Sequence, residues 1–161
     1  MMTKRVAVLL AAAGLITATA AAAQQNADRG FYAGAELGST RFAGDDDTAF
    51  KLLGGYQFNR NVAAEGAWSQ LFDKNGAEIT AFELVAIGAF PVAEKLAVTG
   101  KLGLANAYIE SPAIDQEKVE LTYGVGVQYD FTRRIAVRGQ WQRYDTEEKI
   151  DLLSIGAIVR F

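Results

Sequence analysis

From Phe31 onward apolar and polar side chains alternate almost one for one, and the alternation is interrupted by short clusters rich in Asn, Asp, Pro and Thr. A period of two places successive side chains on opposite faces of an extended strand. No stretch sustains the three-and-four spacing of an amphipathic helix, and glycine recurs where each copy would weaken a helix by roughly 1 kcal/mol. The pattern predicts eight strands, over residues 31–42, 49–58, 62–72, 78–90, 96–109, 119–131, 135–144 and 150–161. They are long against the roughly 5 or 6 residues of an ordinary globular strand. At about 3.3 Å per residue and a tilt near 40°, such strands rise about 25–35 Å, which matches the apolar band of a bilayer.

The two faces sort cleanly. One parity carries Leu37, Leu52, Trp68, Leu84, Leu102, Val125, Val137 and Ile155 with almost no charge. The other carries Glu36, Lys51, Glu65, Glu83, Lys101, Glu120, Gln128, Arg138, Gln140, Gln142 and Arg160, interleaved with Gly34, Gly55, Gly103, Gly124 and Gly156. Alternation alone leaves open a soluble barrel with an apolar cavity and a membrane barrel with a polar one. Three features favour the membrane. Aromatic residues collect toward strand ends (Tyr56, Phe58, Phe72, Phe90, Tyr129, Phe131, Phe161), as membrane interfaces require. The charged parity balances in sign and is mixed with glycine, which suits side chains filling the narrow interior of eight strands. The connections near residues 59–61, 91–95 and 132–134 are tight, whereas 43–48, 73–77, 110–118 and 145–149 read as looser acidic loops, the asymmetry of periplasmic turns against external loops. The expected fold is all-β: an eight-stranded antiparallel up-and-down transmembrane β-barrel.

Ahead of the strands, residues 1–23 carry Lys4 and Arg5, an apolar run over 6–16 and small residues ending in Ala21, Ala22 and Ala23. That is the three-part plan of a secretory signal, and the apolar run falls short of the roughly 20 residues that span a bilayer. The chain is therefore divided into a signal peptide, 1–23, and an outer-membrane barrel domain, 24–161, reached through the secretory pathway.

Composition removes most chemistry. The 161 residues include no His and no Cys, so there is no Ser-His or Cys-His pair, no disulfide, no lipid-bearing cysteine and no conventional zinc site. A formal net charge of −3 offers nothing to nucleic acid phosphates. No cofactor, metal or catalytic residue is expected. A barrel enzyme relying on carboxylates alone would need paired acids in a rim cleft, for which Asp45 to Asp47 is a poor candidate.

The chain resembles the transmembrane domain of outer membrane protein A and its small eight-stranded relatives. The resemblance runs from Gly30 to Phe161, through Gly30-Phe31-Tyr32-Ala33-Gly34, then Gly54-Gly55-Tyr56-Gln57, then Gly126-Val127-Gln128-Tyr129, and the ending Leu153 to Phe161. It implies that Phe161, with Val159, Ala157, Ile155 and Leu153, forms the signal read by the outer-membrane assembly machinery. It also implies a lumen blocked by ion pairs, with Glu65 on the third strand and Arg138 on the seventh standing where the family has such a pair. The family's second pair is not reproduced, because Ile87 replaces a Lys and Gln128 an acid. Glu36 stands where the family tends to have Lys, with Lys51, Lys101 or Arg160 as candidate partners by parity. Lumen charges in general are expected to fill and rigidify the interior, since unpaired buried charge is costly.

The resulting expectation is a non-enzymatic integral outer-membrane protein, structural or forming a small gated pore. Its partners would be outer-membrane lipid and lipopolysaccharide, periplasmic chaperones and the assembly machinery, with no peptidoglycan-binding domain following the eighth strand. The alternative is an adhesion barrel acting through its loops. The acids of those loops (Asp45, Asp46, Asp47; Asp115, Glu117; Glu147, Glu148) read as solvated tips or as holders of divalent cations beside lipopolysaccharide.

Overall fold

A computed structural model describes residues 29–42, 44–74, 77–111, 114–147 and 149–161. The signal segment 1–23 lies outside the described residues, as do the side chains at 72–77, 109–117 and 148, and with them the readings placed on Phe72, Asp115, Glu117 and Glu148. Eight strands follow in order: β1 (Gly30–Phe42), β2 (Asp45–Gln57), β3 (Val62–Lys74), β4 (Ala77–Pro91), β5 (Leu96–Ser111), β6 (Ile114–Asp130), β7 (Ile135–Tyr144) and β8 (Ile150–Arg160). Each pairs antiparallel with its sequence neighbours, and β1 closes on β8, from Tyr32↔Arg160 to Arg41↔Asp151. Closure leaves no open sheet edge around the barrel wall, the condition for spanning hydrocarbon with strands.

The connections predicted to be tight lie between strand ends at 58–61, 92–95 and 131–134, and 145–147, expected in a loop, lies outside the strands. At the other end β1 runs to Phe42 and β2 begins at Asp45, β3 runs to Lys74 and β4 begins at Ala77, and β5 runs to Ser111 and β6 begins at Ile114. Among the described residues, most of what reads as acidic loop within 43–48, 73–77 and 110–118 is strand. Asp45, Asp46 and Asp47 pair with Phe42, Arg41 and Thr40, and β5 and β6 pair as far as Ser111↔Ile114. Acidic composition resembles a loop, but a backbone that finds a cross-strand partner stays extended whatever its side chains. Gly44, at φ 89°, supplies the left-handed conformation on which the β1–β2 reversal depends. Among the described residues of the expected loop at 145–149, Asp145 to Glu147 and Lys149 lie outside the strands.

The barrel is inside out relative to a soluble protein. The apolar parity faces outward, with Leu84, Phe90 and Leu153 each about two-thirds exposed (69%, 71% and 65%). Among the described residues the aromatic rings predicted at strand ends gather at the turn end, where Phe31, Tyr56 and Phe58 stack edge to face at 4.8 and 5.1 Å and Tyr129 meets Phe131 at 5.0 Å. A second belt, not singled out from the pattern, comprises Phe82 against Tyr108 and Tyr123 against Trp141. Phe82 to Phe90 on β4, and Tyr123 on β6 to Phe131 just past its end, span equal lengths of chain, about 26 Å along the chain and about 20 Å along the barrel axis. That approaches the ~25 Å apolar band of outer-membrane barrels.

A layered ionic network in the barrel lumen

The inward polar side chains of the central wall are buried, where a polar group is costly unless it is hydrogen-bonded. Three carboxylates (Glu36, Glu65, Glu83) and three cations (Lys51, Lys101, Arg138) are buried there. Arg138 Nη1 donates to Glu65 Oε2 at 2.7 Å, and Tyr32 donates its hydroxyl to the same oxygen at 2.8 Å. The strands carrying this pair are far apart in sequence and meet only because the barrel closes. On the far side Lys51 Nζ donates to Glu83 Oε1 at 3.0 Å, while Gln142 Nε2 and Tyr144 Oη donate to Glu83 Oε2 at 2.6 and 2.8 Å. Lys101 joins the halves, its Nζ lying 3.6 Å from Glu65 and 3.8 Å from Glu83. Each cation thus has a carboxylate and each of these two carboxylates has several donors, the arrangement that lets charge survive burial.

Glu36 departs from the expectation. Lys51, Lys101 and Arg160 are not its partners: Gln140 Nε2 donates to Glu36 Oε2 at 2.6 Å and Ser154 Oγ at 3.0 Å. Lys51 stands directly opposite Glu36 in the β1–β2 register, but its ammonium donates to Glu83 and Gln142. Arg160 instead pairs with Asp130 at 2.8 Å at the turn end, and Glu120 stands half-buried toward the other end, outside the network. Where the family's second pair would lie, Ile87 is buried among apolar side chains and Gln128 accepts from Arg138 Nε and Nη2, each at 3.3 Å. Tyr32 and Tyr144 are functional neighbours that the charge-centred reading passed over, although both fall on the inward parity.

The larger omission is apolar. Tyr32, Leu53, Ala63, Val85, Ile87 and Ile158 form one buried cluster on the turn side of the charges, and Ala49, Leu71, Ile79, Tyr144, Ile150 and Leu152 another on the opposite side. Four strands write this layering directly in their inward residues: Ala49-Lys51-Leu53, Ala81-Glu83-Val85, Ala136-Arg138 through Gln142-Tyr144, and Leu152-Ser154 through Ile158. The lumen is therefore a stack of apolar, ionic and apolar layers. A small vestibule at the turn end, lined by Gln57, Thr99, Gln128 and Arg160, passes Tyr32, Ala63, Ile87 and Ile158 of the turn-side cluster to reach Arg138.

The residues of the predicted assembly signal all lie on the outer face of β8 or at its end: Leu153, Ile155, Ala157 and Val159 are exposed and Phe161 is half-exposed. Of the acids expected at loop tips, Asp46 pairs with Arg41 at 3.1 Å and Glu147 with Lys118 at 2.9 Å. Among the described residues no group of three or more acids is arranged to hold a metal ion.

An eight-stranded closed wall with apolar belts outside and compensated charge inside defines a transmembrane β-barrel of the outer-membrane class. Residues 8–161 match the outer membrane protein beta-barrel domain, and the chain belongs to that family. Its place is the outer membrane. Among solved structures it is similar to the N-terminal barrel of Pseudomonas aeruginosa OprF (19% identity, 81% of this chain and 97% of that one, TM-score 0.65). It is also similar to Ail, the attachment invasion locus protein of Yersinia pestis (18%, 85% and 100%, 0.58), and to Pseudomonas aeruginosa OprG (15%, 83% and 97%, 0.56). At these identities the likeness establishes the fold. No curated protein matches the chain in sequence.

Proposed function

We propose that this protein is a non-enzymatic structural component of the outer membrane, a barrel whose lumen is closed rather than conducting. It is exported by the signal at residues 1–23, escorted by periplasmic chaperones and inserted by the assembly machinery through the Leu153–Phe161 face. The observation that carries the closed reading is the layering. An ion crossing the lumen would have to part the Glu65–Arg138 and Lys51–Glu83 contacts and also displace the apolar cluster beyond them, which offers it no ligands. Adhesion of the kind implied by Ail bound to the heparin analogue sucrose octasulfate has less support here. The rim opposite the turns carries Asp45, Asp46, Asp47, Asp145 and Glu147, whose charge opposes a sulfated ligand.

Conductance of the folded protein in a planar bilayer, beside Arg138→Ala, tests the proposal. The parent is expected to be silent, and so is the variant, because Lys101 still faces Glu65 and the apolar cluster beyond the charges persists. A silent parent with a conducting variant would make Arg138 a gate and the protein a small regulated pore.

A further inference from the structure

The two rims of the barrel carry opposite charge, and the turn end departs furthest from what a fold alone requires. Lys95 lies in the β4–β5 turn, and Arg133 and Arg134 lie in the β6–β7 turn. Backbone hydrogen bonds stitch these turns into one arc: Asp130 N donates to Lys95 O at 2.8 Å, and Arg160 N donates to Arg134 O at 2.8 Å. All three basic side chains are exposed, and none lies within ion-pair distance of a carboxylate among the described residues. The neighbouring acid, Asp130, is already taken by Arg160. Glu94 is the remaining acid in these two turns, leaving the arc net basic.

A second observation says what faces this arc. Phe90, Val92, Tyr129, Phe131 and Ile135 stand exposed within a few residues of the basic side chains, on the same turn-end belt. Exposed aromatic rings of this kind sit at the boundary between hydrocarbon and headgroups. The three exposed cations thus lie beside the belt that marks headgroup height. We propose that Lys95, Arg133 and Arg134 form a docking arc for the headgroups of anionic phospholipid. The arc has cations in surplus of its acids, so it favours a lipid of net negative charge over a zwitterionic one, whose own amine satisfies its phosphate. A basic residue near an anionic lipid surface contributes about fivefold in association, which is about 1 kcal/mol. This inference rests on the barrel's membrane placement and is independent of whether the lumen conducts.

The test is the selectivity of the lipid shell. The protein is folded into phosphatidylcholine vesicles carrying trace spin-labelled phosphatidylglycerol or spin-labelled phosphatidylcholine, and the motionally restricted fraction of each label is compared. The parent is expected to restrict phosphatidylglycerol several-fold more strongly, with the preference falling as salt is raised. The variant K95Q/R133Q/R134Q, with barrel formation verified by gel mobility before and after heating, is expected to lose most of the preference. Removing the same charge at the opposite rim, R41Q/K118Q/K149Q, is expected to leave it. A parent without preference, a turn-end variant that retains it, or equal loss in both variants would overturn the proposal. Should the turn-end variant fail to assemble, a parent preference insensitive to salt would overturn it equally.

Discussion

Each strand of the barrel bears two populations of side chains, one residue apart, under opposite rules. Inward, Glu65 and Arg138 are almost wholly shielded, and each depends on a particular partner at a particular distance. Outward, Leu84 and Leu153 are exposed, touch nothing that must be specified, and need only be apolar. In a soluble protein the demanding interior is apolar and the permissive surface polar. Here lipid supplies the apolar phase, so the burden of exact pairing moves to the polar side chains in the lumen. The inward face should therefore be sensitive to which residue is present, and the outward face to polarity alone.

The sharpest way to break this contrast is Glu65→Leu. It leaves Arg138 and part of the demand of Lys101 without a carboxylate in a dry layer, and unfolding in lipid vesicles should show a loss of about 3–5 kcal/mol. Replacement of Glu65 by a similarly sized apolar residue with little effect would mean that water reaches the layer. Next comes Leu84→Arg on the outer face of β4, which places charge in hydrocarbon and should cost about 2–4 kcal/mol by the same measurement. Leu84→Val should be close to neutral, which would confirm that the outer face reads polarity and not shape.

A smaller effect is expected from Gly156→Ala. A Cβ there would collide with the carbonyl oxygen of Ala35 and with Glu36 Cγ and Cα across the β1–β8 seam. Backbone on one side cannot yield, so the barrel should lose about 1–3 kcal/mol in denaturant titration, whereas Gly88→Ala, with open space around its position, should not. The smallest effect belongs to the rim. Lys118 holds the carboxyl of Glu147 below its ordinary value of 4.5. The contribution of that pair is present above about 4.5 and disappears as the pH falls through the lowered value, so any effect of Glu147→Gln should be confined to neutral pH. Both partners reach solvent, and the unfolding midpoint at pH 7 should be unchanged within error.

Much of this architecture can be read along the chain. The number of strands, their order and the sorting of Leu52, Trp68 and Val125 from Lys51, Glu65 and Arg138 follow from a period of two, because the pleat makes facing a local property. The ends of the strands follow less well. Asp45 to Asp47 look like a loop, and only the hydrogen bonds they make to β1 keep them in β2. The apolar layers of the lumen are also present in the sequence, as Ala49-Lys51-Leu53 or Ala81-Glu83-Val85, but only the charged member of each triplet departs from what a strand ordinarily carries. Leu53 or Val85 alone is indistinguishable from an ordinary hydrophobic residue in a strand.

What the sequence by itself determined is therefore the wall: which segments are strands, which side of each meets lipid, and which ionisable groups enter the lumen. What only the tertiary structure decided is the pairing across the interior. Glu36 takes Gln140 and Ser154 instead of a lysine, Lys101 stands between Glu65 and Glu83, and Arg160 leaves the lumen network for Asp130 at the rim. The reason is geometric. Facing depends on residue parity along one strand, whereas the height at which two inward side chains meet depends on the register of every strand between them and on the stagger at which β1 closes on β8.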